Sequence, residues 1–403
     1  MTRMDDHDFW RIVFLQPLDD RFGDHARGEI LAFGVDEPFG ARDMLEIELR
    51  DLIDLVPVAI GGAGSGDADF HIFELRSQGI WPGIARSILD VRQLIAPGAY
   101  PAVTAEIGQS LGNIALHHHA DIVPWQLLAE EKGIEIRVVP IDTERDILDM
   151  DIFSASLPGS SLVCVVHTSN VLGVANPVAD IIAQSHDAGA KVLIDAAQAA
   201  PHHRIDFTGM GADFVAISGH KMCGPTGIGC LLATTESIEE MEPFMSGGDM
   251  IETVTMEKST FAKGPQKFEA GTPKIAEAIG FATAADYLSN FNMDELHGHI
   301  RGLAMYTASE IKSVPGITVY GDHSVSEGSG VVSFLHDSVH AEDLARFMDA
   351  GGFAMRTGHH CAQPLLNAYG VTSTNRVSFY LYNTMEEAEA FVEHLRYIIG
   401  KFG

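Results

Sequence analysis

The chain of 403 residues is poor in basic side chains: 26 lysines and arginines stand against 56 aspartates and glutamates, a formal charge of −30. Such a balance repels phosphate backbones and anionic bilayers, which argues against nucleic acid and membrane surfaces as partners. No run of about 18 apolar residues occurs, so no membrane span is expected. The opening MTRMDDHDFWRIVFLQPLDDRF carries early acids and only a broken apolar run, unlike a secretory signal. Cysteine is also scarce. The four present, Cys164, Cys223, Cys230 and Cys361, form no CxxC pair, which suits a reducing cytoplasm in which one thiol is reactive. Cys164 in SLVCVVH and Cys230 in GIGCLLA lie inside apolar strands and are expected to be inert core residues. Internal repeats and low-complexity tracts are absent. At 46% hydrophobic residues the chain has ample material for a large core, and two subdomains are expected.

The most informative stretch is DFVAISGHKMCGPTGIG, Asp213 to Gly229. An apolar run ends at Ser218 and Gly219, which puts His220 and Lys221 at a strand end, where α/β sheets bind ligands. A desolvated lysine of lowered pKa is suited to forming a Schiff base with a carbonyl cofactor. Ser218 and His220 are placed to hold a phosphate. Upstream, AKVLIDAAQAAPH is a second apolar strand ending in Asp195, with Gln198 just beyond. A carboxylate for a pyridinium nitrogen and an amine for a Schiff base are the two protein groups that pyridoxal phosphate needs.

Before about Leu116 the residues give little periodicity. The cluster GGAGSG, Gly61 to Gly66, reads as a flexible loop rather than a phosphate turn, and Ile84 to Ile95 as a helix. Then IALHHHADIVPWQLLAEEKG runs a strand into His117, His118 and His119, with a helix from Pro124. Adjacent histidines lack the HxH or HxxxH spacing of a metal site, so no metal is expected, and a single imidazole stacked on a cofactor ring is the functional option. EIRVVPI and SLVCVVH read as strands, and Asn176 with Pro177 starts a helix that Gly189 stops. This order is the βαβ pattern of a mostly parallel sheet. Asn170 falls at a strand end.

The stretch from Phe244 is expected to be irregular up to a helix near Pro273, with Thr272 as its N-cap and a candidate anion ligand. From about residue 291 the pattern is α+β, with strands at Gly316–Tyr320, Gly330–Leu335 and Asn375–Tyr382. A final helix is capped by Thr384 and Glu387. Within this α+β region, AMRTGHHCAQP places Cys361 after two histidines and near Arg356, an electropositive loop of the kind that yields a nucleophilic thiolate. Arg376 is the natural clamp for a substrate carboxylate.

Together, SNVLG, DAAQAAPH, DFVAISGHKMCGPTGIG, GGDMI, FEAGTP and RTGHHCAQP closely resemble the group II cysteine desulfurases of the SUF pathway. These form a branch of the class V aminotransferases that includes selenocysteine lyases. The resemblance runs from about His117 to the C-terminus. It implies a pyridoxal phosphate enzyme of α/β fold type I: a large, mostly parallel-sheet domain (residues 1–290, with 1–115 divergent) and a small α+β domain (291–403) carrying the catalytic cysteine. By matching motif it makes Lys221 the Schiff-base lysine, Asp195 the pyridinium partner and Gln198 the ligand of the phenolic oxygen. His118 would stack on the ring, and Ser218 and His220 would bind phosphate with Thr272 of the other subunit. Asn170, Arg356 and Arg376 would hold substrate, and Cys361 would be the nucleophile. L-cysteine, with L-selenocysteine as the alternative, is the implied substrate, a small sulfur-acceptor protein the implied partner, and a cytoplasmic homodimer the implied assembly. A class V enzyme of other specificity, or a non-catalytic relative of the same fold, is the alternative. The family's N-terminal motifs are not found: Ile88, Leu89 and Asp90 stand where its phosphate turn would fall.

Overall fold

The computed structural model describes residues 110–115, 118–324 and 327–403. The expectations placed on GGAGSG, on the helix Ile84 to Ile95, on Ile88 to Asp90 and on His117 lie outside the described residues. A six-stranded sheet is built from β1 (Ser110–Ala115), β2 (Glu135–Val138), β5 (Leu162–Val166), β6 (Lys191–Asp195), β7 (Phe214–Ser218) and β8 (Gly229–Ala233), in the order β2-β1-β5-β6-β7-β8. All neighbours are parallel except β7 with β8. Between β2 and β5 a small antiparallel pair, β3 (Ile141–Asp142) and β4 (Ile147–Leu148), intervenes.

β5, β6 and β7 are central because both of their faces are apolar, as a sheet covered on both sides requires. Successive side chains point to opposite faces. Val163, Val165, Val192, Ile194, Val215 and Ile217 pack with Ile181 and Ile182 of the helix Val178–Asp187 and with Phe281 and Leu288 of the helix Ile275–Ser289. Leu162, Cys164, Leu193, Phe214 and Leu231 pack on the other side, against Trp125 and Leu128 of the helix Val123–Lys132. Cys164 and Cys230 are buried, as their sequence context implies.

The stretch expected to be irregular holds an antiparallel hairpin, β9 (Ile251–Val254) with β10 (Ser259–Phe261). Its strands are largely exposed and so lack the alternation that marks a half-buried strand. A second sheet follows from β11 (Ile317–Tyr320), β12 (Val331–His336), β13 (Arg356–Gly358) and β14 (Thr374–Ser378), antiparallel in the order β11-β12-β14-β13. β14 ends earlier than expected, because the Tyr380 N–H donates 2.8 Å to Asn383 Oδ1 in a turn. The final helix, Met385–Phe402, begins with the expected Thr384–Glu387 capping box. Its Phe391, Val392 and Leu395 pack on Val332, Phe334 and Val377.

The helix Met293–Lys312 joins the two cores: Leu296 and Ile300 enter the first, and Leu303 and Ile311 the second. The SNVLG turn after β5 meets the second sheet directly. Ser333 Oγ donates 2.6 Å to the Val171 carbonyl, and the Ser329 N–H donates 2.9 Å to the Gly173 carbonyl. Gly173 has φ +69°, and a Cβ there would stand 2.4 Å from the Val331 carbonyl, so only glycine permits this approach.

Candidate active site

The carboxyl ends of the parallel strands open on a cavity of about 870 Å³. His118, Asn170, Asp195, Gln198, Ser218, His220 and Lys221, seven of the residues singled out in the sequence, line it together. They come from four separate strand ends, as expected where an α/β sheet binds ligands. Gly229 lets β8 close against β7, since a Cβ would lie 2.4 Å from the Ile217 carbonyl. That closure holds the turn bearing Ser218, His220 and Lys221.

Burial pushes the Lys221 amine below its ordinary pKa, with Asp195 pulling the other way and Arg376 adding to the depression. Asp195 closes β6, and its Oδ1 accepts the Ala197 N–H at 2.8 Å. Burial, reinforced by the neighbouring Asp121, raises its pKa to about 7. Ser218 Oγ and His220 Nδ1 lie 3.0 Å apart, a polar pair at the mouth of the turn. His118 Nδ1 accepts the Ala120 N–H at 3.2 Å, which leaves any ring proton on Nε2. Burial and the charge of Lys221 lower its pKa and favour the neutral ring.

Cys361 is exposed, on a loop pinned to this cavity by main-chain and side-chain bonds. The His119 N–H donates 2.7 Å to the Cys361 carbonyl, and the Gln363 N–H donates 3.2 Å to His119 Nε2. Asn170 Nδ2 donates 2.7 Å to the His360 carbonyl. His360 and Cys361 adopt φ of +51° and +58°, a left-handed conformation that is uncommon and costly outside glycine. These anchors bring Cys361 close enough to interact electrostatically with both Lys221 and Arg376.

Arg376 lies on β14 in register with Arg356 on β13. Its Nη1 donates 3.0 Å to the Asn170 carbonyl, while its buried Nε has no hydrogen-bond partner among the described residues. Burial and then Arg356 depress its pKa. A buried guanidinium edge of this kind is a ready receptor for a carboxylate.

Two expectations need correction. The electropositive character of the cysteine loop does not come from His360, whose pKa burial lowers to about 4. Thr272 is not the N-cap of the helix Ile275–Ser289. Lys274 occupies that position without a side-chain cap bond, and Thr272 is exposed and outside the cavity lining. Arg356, on β13 beside Arg376, is exposed and stands outside the cavity lining. One residue was missed: Asp121, 1% exposed, at the end of the short turn His119–Asp121 and against Asp195. The only signal was an acid three positions after His118, indistinguishable in sequence from a helix-start acid.

A lysine and a buried acid on adjoining strand ends, in a cavity of this size, fit the amine and pyridinium requirements of pyridoxal phosphate. At the phosphate end, among the described residues, Ser218 and His220 offer a hydroxyl and an imidazole. The fold and site are those of a fold type I pyridoxal phosphate enzyme.

Comparison with known proteins narrows this. The class-V aminotransferase family matches residues 95–391, and the chain belongs to that family, among its pyridoxal phosphate-dependent cysteine desulfurases. A probable cysteine desulfurase of Streptomyces coelicolor is 43% identical over 290 residues, covering 72% of this chain and 69% of its own. A cysteine desulfurase of Enterobacter sp. strain 638 is 43% identical over 293 residues, covering 72% and 71%. Among solved structures, the cysteine desulfurase CsdA from Escherichia coli superposes with a TM-score of 0.73 at 29% identity, over 80% of this chain and 83% of that one.

Proposed function

We propose that the protein converts L-cysteine to L-alanine and carries the released sulfur as a persulfide on Cys361. The observation that carries this reading is the pinned cysteine loop. Bonds from His119 and Asn170 hold Cys361 within electrostatic reach of Lys221 and Arg376, at the edge of the cavity that Asp195 and Lys221 share. Pyridoxal phosphate, held by Lys221, Asp195, Gln198, His118, Ser218 and His220, would supply an electron sink for weakening the substrate's C–S bond.

The chain's own residues do the rest. Arg376, with Asn170 beside it and Arg356 at the rim, binds the substrate carboxylate. Asp195 would hold the ring nitrogen and His118 would orient the ring. Lys221, its cation disfavoured by burial, accepts and returns protons. The Cys361 thiolate attacks the substrate sulfur: one S–S bond forms, one C–S bond breaks, and the carbon takes a proton to give alanine. The products, alanine and a persulfide, balance cysteine plus thiol.

The finer assignments extend this reading. Among the described residues the chain divides into a large domain up to residue 290 and a small one of 291–403, a reading that the separate apolar cores support. Thr272, exposed and away from the cavity of its own chain, would complete a partner's phosphate site in a cytoplasmic homodimer. The exposed persulfide would pass to a small sulfur-acceptor protein for iron–sulfur cluster assembly by the SUF route.

The test is to incubate the purified protein with pyridoxal phosphate and L-cysteine, then measure alanine, sulfide and the intact mass. Cys361→Ala is expected to abolish cysteine turnover and the added sulfur atom. Lys221→Ala is expected to remove the visible band of the bound cofactor. Turnover of cysteine that survives Cys361→Ala would sink the persulfide mechanism. Selenocysteine assayed beside cysteine shows whether both substrates depend on the same thiol.

A further inference from the structure

Cys361 is bracketed by two imidazoles that serve its loop as hydrogen-bond acceptors. The Cys361 N–H donates 3.1 Å to His359 Nδ1, and the Gln363 N–H donates 3.2 Å to His119 Nε2. Between these bonds the chain passes through the left-handed φ of His360 and Cys361, and the Ala362 N–H donates 2.8 Å to the His359 carbonyl. The two rings stand 5.3 Å apart between centroids, one on the short turn His119–Asp121 and the other on the loop after β13. His359 is exposed and His119 half-buried. The titratable and charged groups around the pair are His118, which faces Lys221, Asp195 and Arg376, then His360, which faces Arg376 and Arg356, and the Cys361 thiol itself.

A backbone N–H bonds to a ring nitrogen only through its lone pair, and an imidazolium has none. A proton added to either ring must go to the nitrogen that accepts, so each bond exists only while its ring is neutral. The left-handed pair His360–Cys361 persists only where its surroundings over-determine it. Two of the bonds that do so end on these rings. We propose that His119 and His359 are positioning residues for the nucleophile: as a pair of neutral acceptors they hold the Cys361 loop at the cavity, and protonation of either ring loosens it. The His119 N–H holds the Cys361 carbonyl at 2.7 Å while His359 holds its N–H, so both peptide groups of the nucleophile are fixed at once. Burial and then His359 lower the His119 pKa from 6.5, which favours the accepting form. Because the folded value is depressed, the hold is complete above the ordinary histidine value and is lost as pH falls through the lowered one. The inference rests on the reading of Cys361 as the nucleophile, and its first readout is independent of that reading.

Amide hydrogen exchange of the full chain, resolved to single residues, reads the hold without cofactor or turnover. Corrected for intrinsic rate, protection of the Cys361 and Gln363 amides is expected to be constant above about pH 7 and to fall about 2- to 10-fold below about pH 6, the loss of one hydrogen bond. His359→Leu should lower protection of the Cys361 amide by that factor at every pH, and His119→Leu that of the Gln363 amide. His359→Asn, whose Oδ1 accepts in the place of Nδ1 and does not titrate, should restore the protection and remove the pH step at Cys361. Steady-state alanine formation with pyridoxal phosphate and L-cysteine is the second readout. The leucine variants should lose about 2- to 10-fold in kcat with KM little changed, because the nucleophile is disturbed and the carboxylate clamp is not, and His359→Asn should recover the loss. Leucine variants with unaltered protection, or an asparagine variant as poor as the leucine one, overturn the proposal. Exchange that behaves as stated in a protein whose Cys361→Ala variant still turns over cysteine would leave the hold standing and refute the persulfide reading of Cys361.

Discussion

Replacing Arg376 by lysine probes how the site recognises its substrate. The arginine's Nη1 is engaged by the Asn170 carbonyl, and its buried Nε has no partner among the described residues. A substrate carboxylate would meet the Nε edge and gain charge-assisted bonds, each worth about 1.5–3 kcal/mol. Lysine keeps the charge but loses the planar fork and cannot serve Asn170 and a carboxylate in the same geometry. Loss of one such bond corresponds to a rise of about 10- to 100-fold in KM for L-cysteine. Steady-state alanine formation by Arg376→Lys, with kcat and KM separated, is the assay, and the visible band of the bound cofactor serves as the control for folding. An unchanged KM in a variant that still binds cofactor would refute the assignment of Arg376 to the carboxylate.

Acid should unfold this protein early. Burial lowers His202 to a pKa of about 3 and His323 to about 4, against 6.5 for the free side chain. Because these folded values are depressed, the stability they contribute is present above pH 6.5 and lost as pH falls. The loss is about 2 kcal/mol for each between pH 7 and pH 5, and urea midpoints at the two pH values test it; a flat profile would contradict it. Gly229→Ala is expected to lower stability by about 1–3 kcal/mol, because the new Cβ meets the Ile217 carbonyl. Calorimetry reads that loss, and an unchanged melting temperature would mean that β7 and β8 are not packed as described. Under native conditions iodoacetamide should label the exposed Cys361 and Cys223 and leave the buried Cys164 and Cys230 unmodified until the chain unfolds. Peptide mapping distinguishes the outcomes.

The central strands were legible because burial on both faces writes unbroken apolar runs, such as LVCVV in β5, and these set the strand ends where Asp195 and Lys221 stand. The final helix was legible down to its cap, since the Thr384–Glu387 pairing is local. What was hidden depended on contacts distant in sequence. Asp121 acquires meaning only because β1 and β6 flank β5 and bring its turn against Asp195. His360 looked cationic in a polar loop, but burial holds it neutral while its Nε2–H donates to the Thr374 carbonyl at 3.1 Å. Thr272 matched the composition of a cap, yet the helix begins two residues later than Pro273. The β9–β10 hairpin was missed because its exposed threonines, serine and glutamate carry no apolar period.

The most direct measurement is a single turnover of the pyridoxal phosphate-loaded protein with L-cysteine, followed by peptide mass spectrometry and quantitation of alanine. The expected result is one alanine per chain and one added sulfur atom confined to the peptide carrying Cys361. Alanine formed without sulfur on Cys361, or a loaded protein that forms no alanine at all, would contradict the account.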